Sequence, residues 1–199
     1  MTMSRRSGRR AGTSQTREQI AAAARTLFAE AGYDRATFRA IATEAGVDPA
    51  LVVHFYGSKQ ELFREVMQLP PELAAALAGV ADGPADEAGR RLAAFVVGGM
   101  ENPASRSLVL GRIRSASSHP DAAAMVRELV GRDMVRLTAA ISGDRPQLRA
   151  VLIGSQLVGI LITRYVVGVE PLASLPPDQL IEQLAPPFQR LLTGSLATA

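Results

Sequence analysis

Apolar residues recur every three or four positions along most of the chain, which is the spacing that places them on one face of a helix. The first such stripe consists of Ile20, Ala23, Ala24, Leu27, Phe28 and Ala31. No stretch shows the sustained alternation of apolar and polar residues, with turn dipeptides between runs, that is typical of strands. The pattern therefore predicts an all-α protein with about nine helices.

Helix boundaries are clearest between residues 16 and 67. A Ser or Thr followed three residues later by Glu or Gln satisfies free amides at a helix start, and glycine ends helices because it tolerates the left-handed conformation. An Asp-Pro pair marks a start because Asp caps the helix and Pro fits its first position. These signals predict four helices joined by short turns: Thr16 to Gly32, Thr37 to Gly46, Asp48 to Gly57 and Ser58 to Met67.

A second module is predicted after a boundary rich in proline and glycine. Pro70-Pro71 and residues 79–84 interrupt the helical pattern. Beyond them we expect helices at 85–100, 103–117, 121–142, 145–167 and 177–193. Pro186-Pro187 should kink or split the last helix, because two backbone donors are missing there. The chain is therefore divided into an arm 1–15, a helical domain 16–67 and a helical domain 68–199.

Composition excludes several kinds of site. The chain has no cysteine, which excludes disulfides, thiolate zinc sites, iron–sulfur ligation and cysteine nucleophiles. Its two histidines, His54 and His119, are 65 positions apart. We therefore expect no metal centre and no other cofactor. An enzyme is not expected either, because the only nearby candidate set is Ser117, Ser118 and His119, and neighbouring residues rarely converge on one site.

The net charge of +3 is concentrated at the amino terminus. Residues 1–18 carry five arginines against one acidic residue, Glu18, whereas the rest of the chain is nearly balanced. We expect residues 1–15 to form a disordered basic arm whose arginines are Arg5, Arg6, Arg9 and Arg10. Such an arm suits a polyanion, either nucleic acid or an acidic membrane surface, with a solubilising tail as the alternative. Secretion is not expected, because the arginines lead into a polar run.

The most apolar window, residues 150–169, is about as long as a membrane span. It contains Ser155, Gln156, Thr163 and Arg164. An arginine at that depth is costly in lipid. We therefore expect a helix buried against partner helices, and no membrane association.

A short helix ended by glycine, a brief link and a second short helix form the helix-turn-helix arrangement, which places the second helix in the DNA major groove. From Glu30 to Phe63 the sequence reads EAGYDRATFRAIATEAGVDPALVVHFYGSKQELF. It closely resembles the DNA-binding domain of the tetracycline-repressor (TetR) family of bacterial transcriptional regulators. The matching features are LF…E-x-G-Y in the first helix, T-x-R-x-I-A in the second, A-G-V at the turn and H-F-Y-G-S-K-x-E-L-F after it.

This resemblance implies an N-terminal three-helix helix-turn-helix domain that binds double-stranded DNA, followed by a helical effector-binding and dimerisation domain. It further implies a cytoplasmic homodimer whose recognition helices lie about one DNA turn apart on a near-palindromic operator. The family's usual member is a repressor that a small-molecule effector releases. The alternative is a sequence-independent, nucleoid-type DNA binder, which would use the basic arm but would not need the pattern from Thr37 to Lys59.

The resemblance also implies contacts with the DNA backbone. Lys59 is the only lysine among 22 basic residues and follows the Ser58 cap, so its ammonium and the nearby amides would bind a phosphate. His54 is expected at a phosphate, with a core position as the alternative. Of Phe55 and Tyr56, one ring is expected under the first helix and the other near the DNA backbone.

Base reading is expected from two helices. Arg39 matches an arginine that reaches a guanine edge or a phosphate in the family, and Thr37 is expected as a helix cap or a phosphate contact. On the third helix, the positions that resemble the base-reading face are Pro49, Ala50, Leu51 and Val53. The family often has small or polar residues and a tyrosine at the last two. This apolar pair can touch thymine methyls but cannot hydrogen-bond to base edges, so specificity is expected to depend on Arg39, the arm and DNA shape.

The second domain is expected to hold a dimer interface and an effector pocket. Pairing helix 145–167 with helix 177–193 would make a four-helix bundle across a two-fold axis. The expected interface residues are Gly154, Leu157, Ile160, Leu161, Leu180, Leu184, Phe188 and Leu191, with an intramolecular core as the alternative. The expected pocket residues are Phe95, Met100, Arg112, Met125, Leu129 and Met134, with Arg114 and His119 as further polar candidates and ordinary core or surface as the alternative. Effector binding is expected to change the angle of the fourth helix and lower operator affinity.

Overall fold

The computed structural model describes residues 8–68 and 70–196, and every regular element in these ranges is helical. The all-α prediction is therefore confirmed. The α-helices, in chain order, are α1 (Gly8–Arg35), α2 (Phe38–Ala45), α3 (Pro49–Tyr56), α4 (Lys59–Val66), α5 (Pro71–Ala78), α6 (Ala88–Glu101), α7 (Pro103–Ala116), α8 (Pro120–Glu128), α9 (Val135–Ile141), α10 (Pro146–Leu161) and α11 (Pro177–Thr193). Short 3₁₀ turns cover Gly79–Ala81 and Ala85–Glu87, and π-helical segments cover Leu129–Met134 and Ile162–Val167.

Three of the four predicted helix starts near the amino terminus are confirmed by their capping bonds. Thr37 Oγ1 accepts from the Ala40 amide at 3.2 Å, and Asp48 Oδ1 accepts from the Ala50 amide at 2.7 Å. Ser58 Oγ accepts from the Glu61 amide at 3.1 Å, and the Glu61 carboxylate accepts from the Ser58 amide at 3.1 Å. These bonds satisfy amides that the first helical turn leaves free.

The predicted start of α1 at Thr16 is wrong, because the helix already begins at Gly8. A capping pair marks a possible start but contains nothing that stops a helix from running through it. Residues 8–15 of the expected arm are thus helical. At the other end, Gly32 leaves the helical conformation with φ of 74°, so the helix kinks at the predicted end and a short helical stretch continues to Arg35.

The described chain forms two compact units. Within the described residues, unit 1 consists of residues 8–68 together with Ser107–Ala122, and unit 2 consists of residues 70–106 and 123–196. Residues 107–122, expected in the second domain, therefore group with the helix-turn-helix. A side chain at Gly111 of α7 would approach the Ala29 amide to 3.3 Å, so this glycine lets α7 pack closely on α1. Capping residues, glycines and prolines predict where a helix ends, but they do not indicate which other helices that helix packs against.

Unit 2 is built around the packing of α6 on α11. A Cβ atom at Gly89 would lie 2.4 Å from the Gln189 backbone nitrogen, so only glycine permits this approach. The Gln189 side chain accepts from the Gly89 amide at 2.7 Å and donates to the Ala85 carbonyl at 2.8 Å. These bonds lie beside Pro186-Pro187, where α11 continues as one helix. The expected split of this helix is therefore not observed.

Candidate functional site

Helix α3 has one buried and one exposed face. Val52 and Tyr56 are buried in unit 1, whereas Leu51 and Val53 have 38% and 50% of their surface exposed. Among the residues that the structure describes, no other large apolar side chain of unit 1 is exposed to this extent. The remaining predicted contacts on α3 are Pro49, Ala50 and His54, which are exposed, and Phe55, which is half-buried. The structure therefore places the predicted base-reading residues on one accessible helix.

Helix α2 presents Thr37 and Arg39 to solvent at its amino-terminal end. The Thr37 hydroxyl is used as the helix cap described above. The Arg39 guanidinium forms no ion pair within the described chain. It is therefore available to a ligand outside the protein.

The ammonium of Lys59 is bound within unit 1. Its Nζ donates to the Asp34 carbonyl at 3.2 Å and lies 4.3 Å from the centroid of the Tyr33 ring. Burial lowers the pKa of Lys59, and the nearby Asp34 carboxylate opposes this effect. Because an ammonium has three donors, the bond to Asp34 leaves two for another acceptor.

Tyr56 is the aromatic residue of α3 that packs under α1. Its hydroxyl donates to the Arg17 carbonyl at 3.0 Å, and the Arg17 guanidinium lies 5.5 Å from the ring centroid. Arg17 also pairs with Glu65 of α4 at 2.8 Å. Burial raises the pKa of Tyr56. These contacts join α1, α3 and α4, so they hold the exposed face of α3 in place.

The second half of α7 and the start of α8 contribute residues to unit 1 that no sequence pattern assigned to it. Ser115 Oγ accepts from the Tyr33 amide at 3.0 Å, and Arg112 Nε donates to the Met67 carbonyl at 2.6 Å. Arg114 donates to the Ala29 carbonyl. Asp121 accepts from Gln60 at 2.7 Å and from Arg64 at 3.1 Å. We call Arg112, Arg114, Ser115, His119 and Asp121 the α7–α8 brace. In the sequence, only the His119-Pro120 pair indicated the turn between α7 and α8.

Three residues of the brace are candidates for the effector pocket. Arg112, Arg114 and His119, expected near an effector, are engaged in unit 1 with backbone carbonyls or with aromatic rings. The nearby hydroxyls of Ser117 and Ser118 donate to helix carbonyls of α7, at Arg114 and Ser115. Neither serine is bonded to His119, so the described geometry assembles no nucleophile and base.

The other expected pocket residues lie on α6, on α8 and in the π-helical segment Leu129–Met134 of unit 2. Met134 is buried in the core of unit 2, with Phe95 and Leu129 packed against it, and Met100 is buried near the end of α6. Met125 is half-buried. A cavity of about 170 Å³ lies between α5 and α9, and none of the expected pocket residues lines it. Its lining residues are Ala74, Leu77, Ala78, Ala81, Asp133, Arg136, Leu137 and Ala140.

The expected interface residues pack largely within their own unit. Leu180, Leu184 and Phe188 lie in the core of unit 2, Leu157, Ile160 and Leu191 pack against it, Leu161 is buried, and Gly154 faces Val130. The buried members therefore belong to the core of their own unit, whereas Leu157, Ile160 and Leu191 keep part of their surface exposed. The exposed face of the helical segment Pro146–Val167 carries Leu148, Val151, Val166 and Val167. A helix that is apolar all round gives no periodic signal for which face is covered.

The segment Pro146–Val167 is long and apolar enough to span a membrane, with a mean hydropathy of 1.8 over its most apolar window. A single such helix is weak evidence for a span. Arg149 and Arg164 lie within it, and both are bonded inside unit 2, Arg149 to Asp144 and to the Leu191 carbonyl. These arginines fit a helix of a folded unit.

Residues 1–7 of the predicted arm lie outside the described residues. Arg5 and Arg6 lie outside them altogether. Arg9 and Arg10 fall in the first turn of α1, where the backbone is described but their side chains are not.

Family models match both parts of the chain. Residues 20–66 match "Bacterial regulatory proteins, tetR family", and residues 86–192 match "Tetracyclin repressor-like, C-terminal domain". A comparison with curated proteins gives no match.

Solved structures of similar proteins cover nearly the whole chain. A TetR-family regulator from Streptomyces coelicolor A3 is 33% identical, with a TM-score of 0.60, over 96% of this chain and 99% of its own. A transcriptional regulator from Rhodococcus shares the fold at 23% identity, with a TM-score of 0.68, over 88% of this chain and 95% of its own. NalD, the secondary repressor of the MexAB-OprM multidrug efflux pump in Pseudomonas aeruginosa, shares it at 22% identity, with a TM-score of 0.67, over 92% and 98%. The capped helix-turn-helix, the two matching family models and the Streptomyces relative together show that this chain belongs to the TetR family of DNA-binding transcriptional regulators.

Proposed function

We propose that the protein is a cytoplasmic repressor that binds a near-palindromic operator as a homodimer and is released by a small-molecule effector. The observation that carries the proposal is helix α3, a short capped helix on which the predicted reading residues are exposed. Leu51 and Val53 are the large apolar side chains of unit 1 that are exposed among the described residues, so we take the exposed side of α3 as the DNA-contacting surface. Since α3 is the second helix of a helix-turn-helix, that surface fits the major groove.

Base reading is divided between apolar contact and one arginine. Leu51 and Val53 have no side-chain donor or acceptor, so on the major-groove edge of a base pair they recognise the thymine methyl. Arg39 supplies the donors that a guanine edge accepts. The half-site is therefore expected to contain thymines opposite α3, with a guanine near the start of α2.

Phosphate contacts position the protein on the duplex. The two free donors of Lys59 and the amides at the start of α4 bind one phosphate, and His54 binds another. Arg5, Arg6, Arg9 and Arg10 precede the reading helices, and arginines in such a position enter a narrow minor groove. These contacts contribute most of the salt-dependent affinity.

The homodimer is proposed to form through the exposed face of α10. Leu148 and Val151 lie on this face, and Ser155 and Gly159 continue it at helical spacing. A Cβ atom at Gly159 would meet nothing within 4 Å, so a partner helix can approach closely there. A second copy would cover the apolar stripe, and two-fold symmetry of the protein would match the two halves of the operator.

Release is proposed to act through α7. The first residues of this helix belong to unit 2 and the remainder to unit 1, where the brace contacts α1 and α4. An effector that binds unit 2 with different affinity in two positions of α7 would shift the population between them. Movement of α4 would then lower operator affinity.

Selection of duplexes from a random pool by the full chain tests the proposal. We expect enrichment of a near-palindrome whose half-sites are about one helical turn apart. Gel shifts of the enriched duplex with unrelated competitor DNA then measure specificity. Equal retention of all duplexes would instead support a sequence-independent binder and overturn the proposal.

A further inference from the structure

Arg164 carries a buried positive charge that pairs with no carboxylate among the residues the structure describes. Only 9% of its surface is exposed, and its two terminal nitrogens donate to the carbonyls of Leu172 and Leu175. Its Nε is buried without a hydrogen-bond partner among the described residues. The nearest acid along the chain, Glu170, is bonded to Ser174 instead. A buried charge is costly unless an opposite charge or further hydrogen bonds compensate it.

The next residue, Tyr165, presents a second unsatisfied atom. Its hydroxyl is buried and has no partner in the described part of the chain. Buried polar groups are nearly always hydrogen-bonded, so two unsatisfied atoms on consecutive residues are unusual. Both residues lie in the π-helical segment Ile162–Val167, and such segments occur frequently at functional sites.

Arg106 brings a second positive charge to the same ring. Its Cζ lies 5.9 Å from the centroid of the Tyr165 ring, and the Cζ of Arg164 lies 5.2 Å from it. Arg106 donates to the Met100 carbonyl at 3.2 Å and, like Arg164, forms no ion pair within the described ranges. All three residues belong to unit 2. Two guanidiniums thus lie against one phenol ring whose hydroxyl has no partner among the described residues, and neither charge is paired with a carboxylate there.

We propose that Arg106, Arg164 and Tyr165 form a binding site for the carboxylate group of a small organic acid. A carboxylate accepts from the Arg164 Nε and from the Tyr165 hydroxyl, and so satisfies both buried donors. Its negative charge compensates the two arginines. A neutral molecule of the same shape would satisfy the hydroxyl but leave the charges unopposed, so the site selects organic anions. That such an acid is the effector rests on the proposed function; the site itself does not.

Titration of the full chain with benzoate and with the neutral benzamide, without DNA, tests the site. We expect benzoate to bind at least about tenfold more tightly, because a hydrogen bond to a charged group is stronger than one to a neutral group. Octanoate and octanamide repeat the comparison with an aliphatic body, and inorganic phosphate tests whether any oxyanion suffices. The measurements are calorimetry and the shift of the melting temperature.

Two variants locate the binding. Tyr165→Phe removes only the hydroxyl, so it is expected to weaken benzoate binding about five- to tenfold while leaving the melting temperature of the free protein equal or higher. Arg106→Gln is expected to weaken binding by about tenfold or more. Arg127→Gln, which changes an exposed arginine of α8 in the same unit, is the matched control and is expected to bind as the wild type does. Arg164 itself is left intact because its bonds hold the segment around Leu172.

The proposal is overturned if neither carboxylate binds, if the amides bind equally well, or if both site variants keep wild-type affinity. Tighter binding of inorganic phosphate than of either acid would also overturn it, since the site would then be a phosphate site. DNA selection is a separate readout. If DNA selection yields a palindrome but no carboxylate binds, only the proposed carboxylate site is rejected. If a carboxylate binds but no palindrome is enriched, only the proposed repressor function is rejected.

Discussion

The imidazole of His119 lies against the phenol ring of Tyr33, with ring centroids 3.5 Å apart and ring planes tilted by 33°. The same Tyr33 ring contacts the Lys59 ammonium and packs edge-on to Phe63 of α4. One aromatic residue near the end of α1 therefore touches the turn after α7 and the first residue of α4. Burial of this ring also raises the pKa of Tyr33.

Replacing His119 tests how much this contact stabilises unit 1. His119→Ala is expected to lower the free energy of unfolding by about 1–2 kcal/mol, because it removes aromatic packing at a partly buried position. His119→Phe keeps a ring, and the Nδ1 atom that it removes has no partner among the described residues, so it should retain most of the stability. Urea unfolding at neutral pH measures both. Ser117→Ala, on the exposed part of the same turn, is the control; a His119→Ala protein as stable as this control would contradict the prediction.

Asp121 is expected to make stability depend on acid pH. Hydrogen bonds from Arg64 and then Gln60 hold the pKa of Asp121 below its ordinary value. The contact therefore stabilises the protein above the unfolded-state pKa of about 3.9 and is lost as the pH falls through the lower, folded-state pKa. Asp121→Asn should unfold at lower urea concentration than wild type at pH 7, and this difference should shrink towards pH 3. Glu44→Gln, an exposed change on α2, provides the comparison, and a difference that is constant with pH would argue against the assignment.

Thymine readout by Leu51 and Val53 can be tested with DNA that lacks the methyl group. Replacing thymine by deoxyuridine in the selected operator preserves base pairing but should lower affinity about fourfold for each methyl buried. The double variant Leu51→Ala, Val53→Ala should bind both duplexes alike. Substituting deoxyuridine only outside the half-sites is the matched control. If wild-type protein does not distinguish the two duplexes, the apolar pair does not read thymine.

Val151 tests the proposed dimer face. With 55% of its surface exposed in the single chain, it lies near the middle of the apolar stripe of α10. Val151→Glu would bury a charge in the interface, so the dimer should dissociate at concentrations at least about tenfold higher than for wild type. Ala139→Glu introduces the same charge at an exposed position on α9. Sedimentation equilibrium distinguishes the two variants, and equal dissociation would exclude this face as the interface.

Local sequence determined the helix-turn-helix and the start of α4, because helix-capping signals act over a few residues. Thr37, Asp48 and Ser58 each cap a helix by bonding to an amide two or three positions ahead, so their spacing alone predicts α2, α3 and α4. Once α3 is placed, its short length and the burial of Val52 and Tyr56 leave Leu51 and Val53 outside.

Tertiary structure decided the rest, because the deciding contacts join residues far apart. The bond from the Tyr33 amide to Ser115 spans 82 positions, and no local pattern indicates that the second half of α7 packs with unit 1. Helix α10 is apolar on all sides, so its sequence does not indicate which side is covered. Packing of Gly154 against Val130 within unit 2 makes that choice and leaves Val151 facing outward.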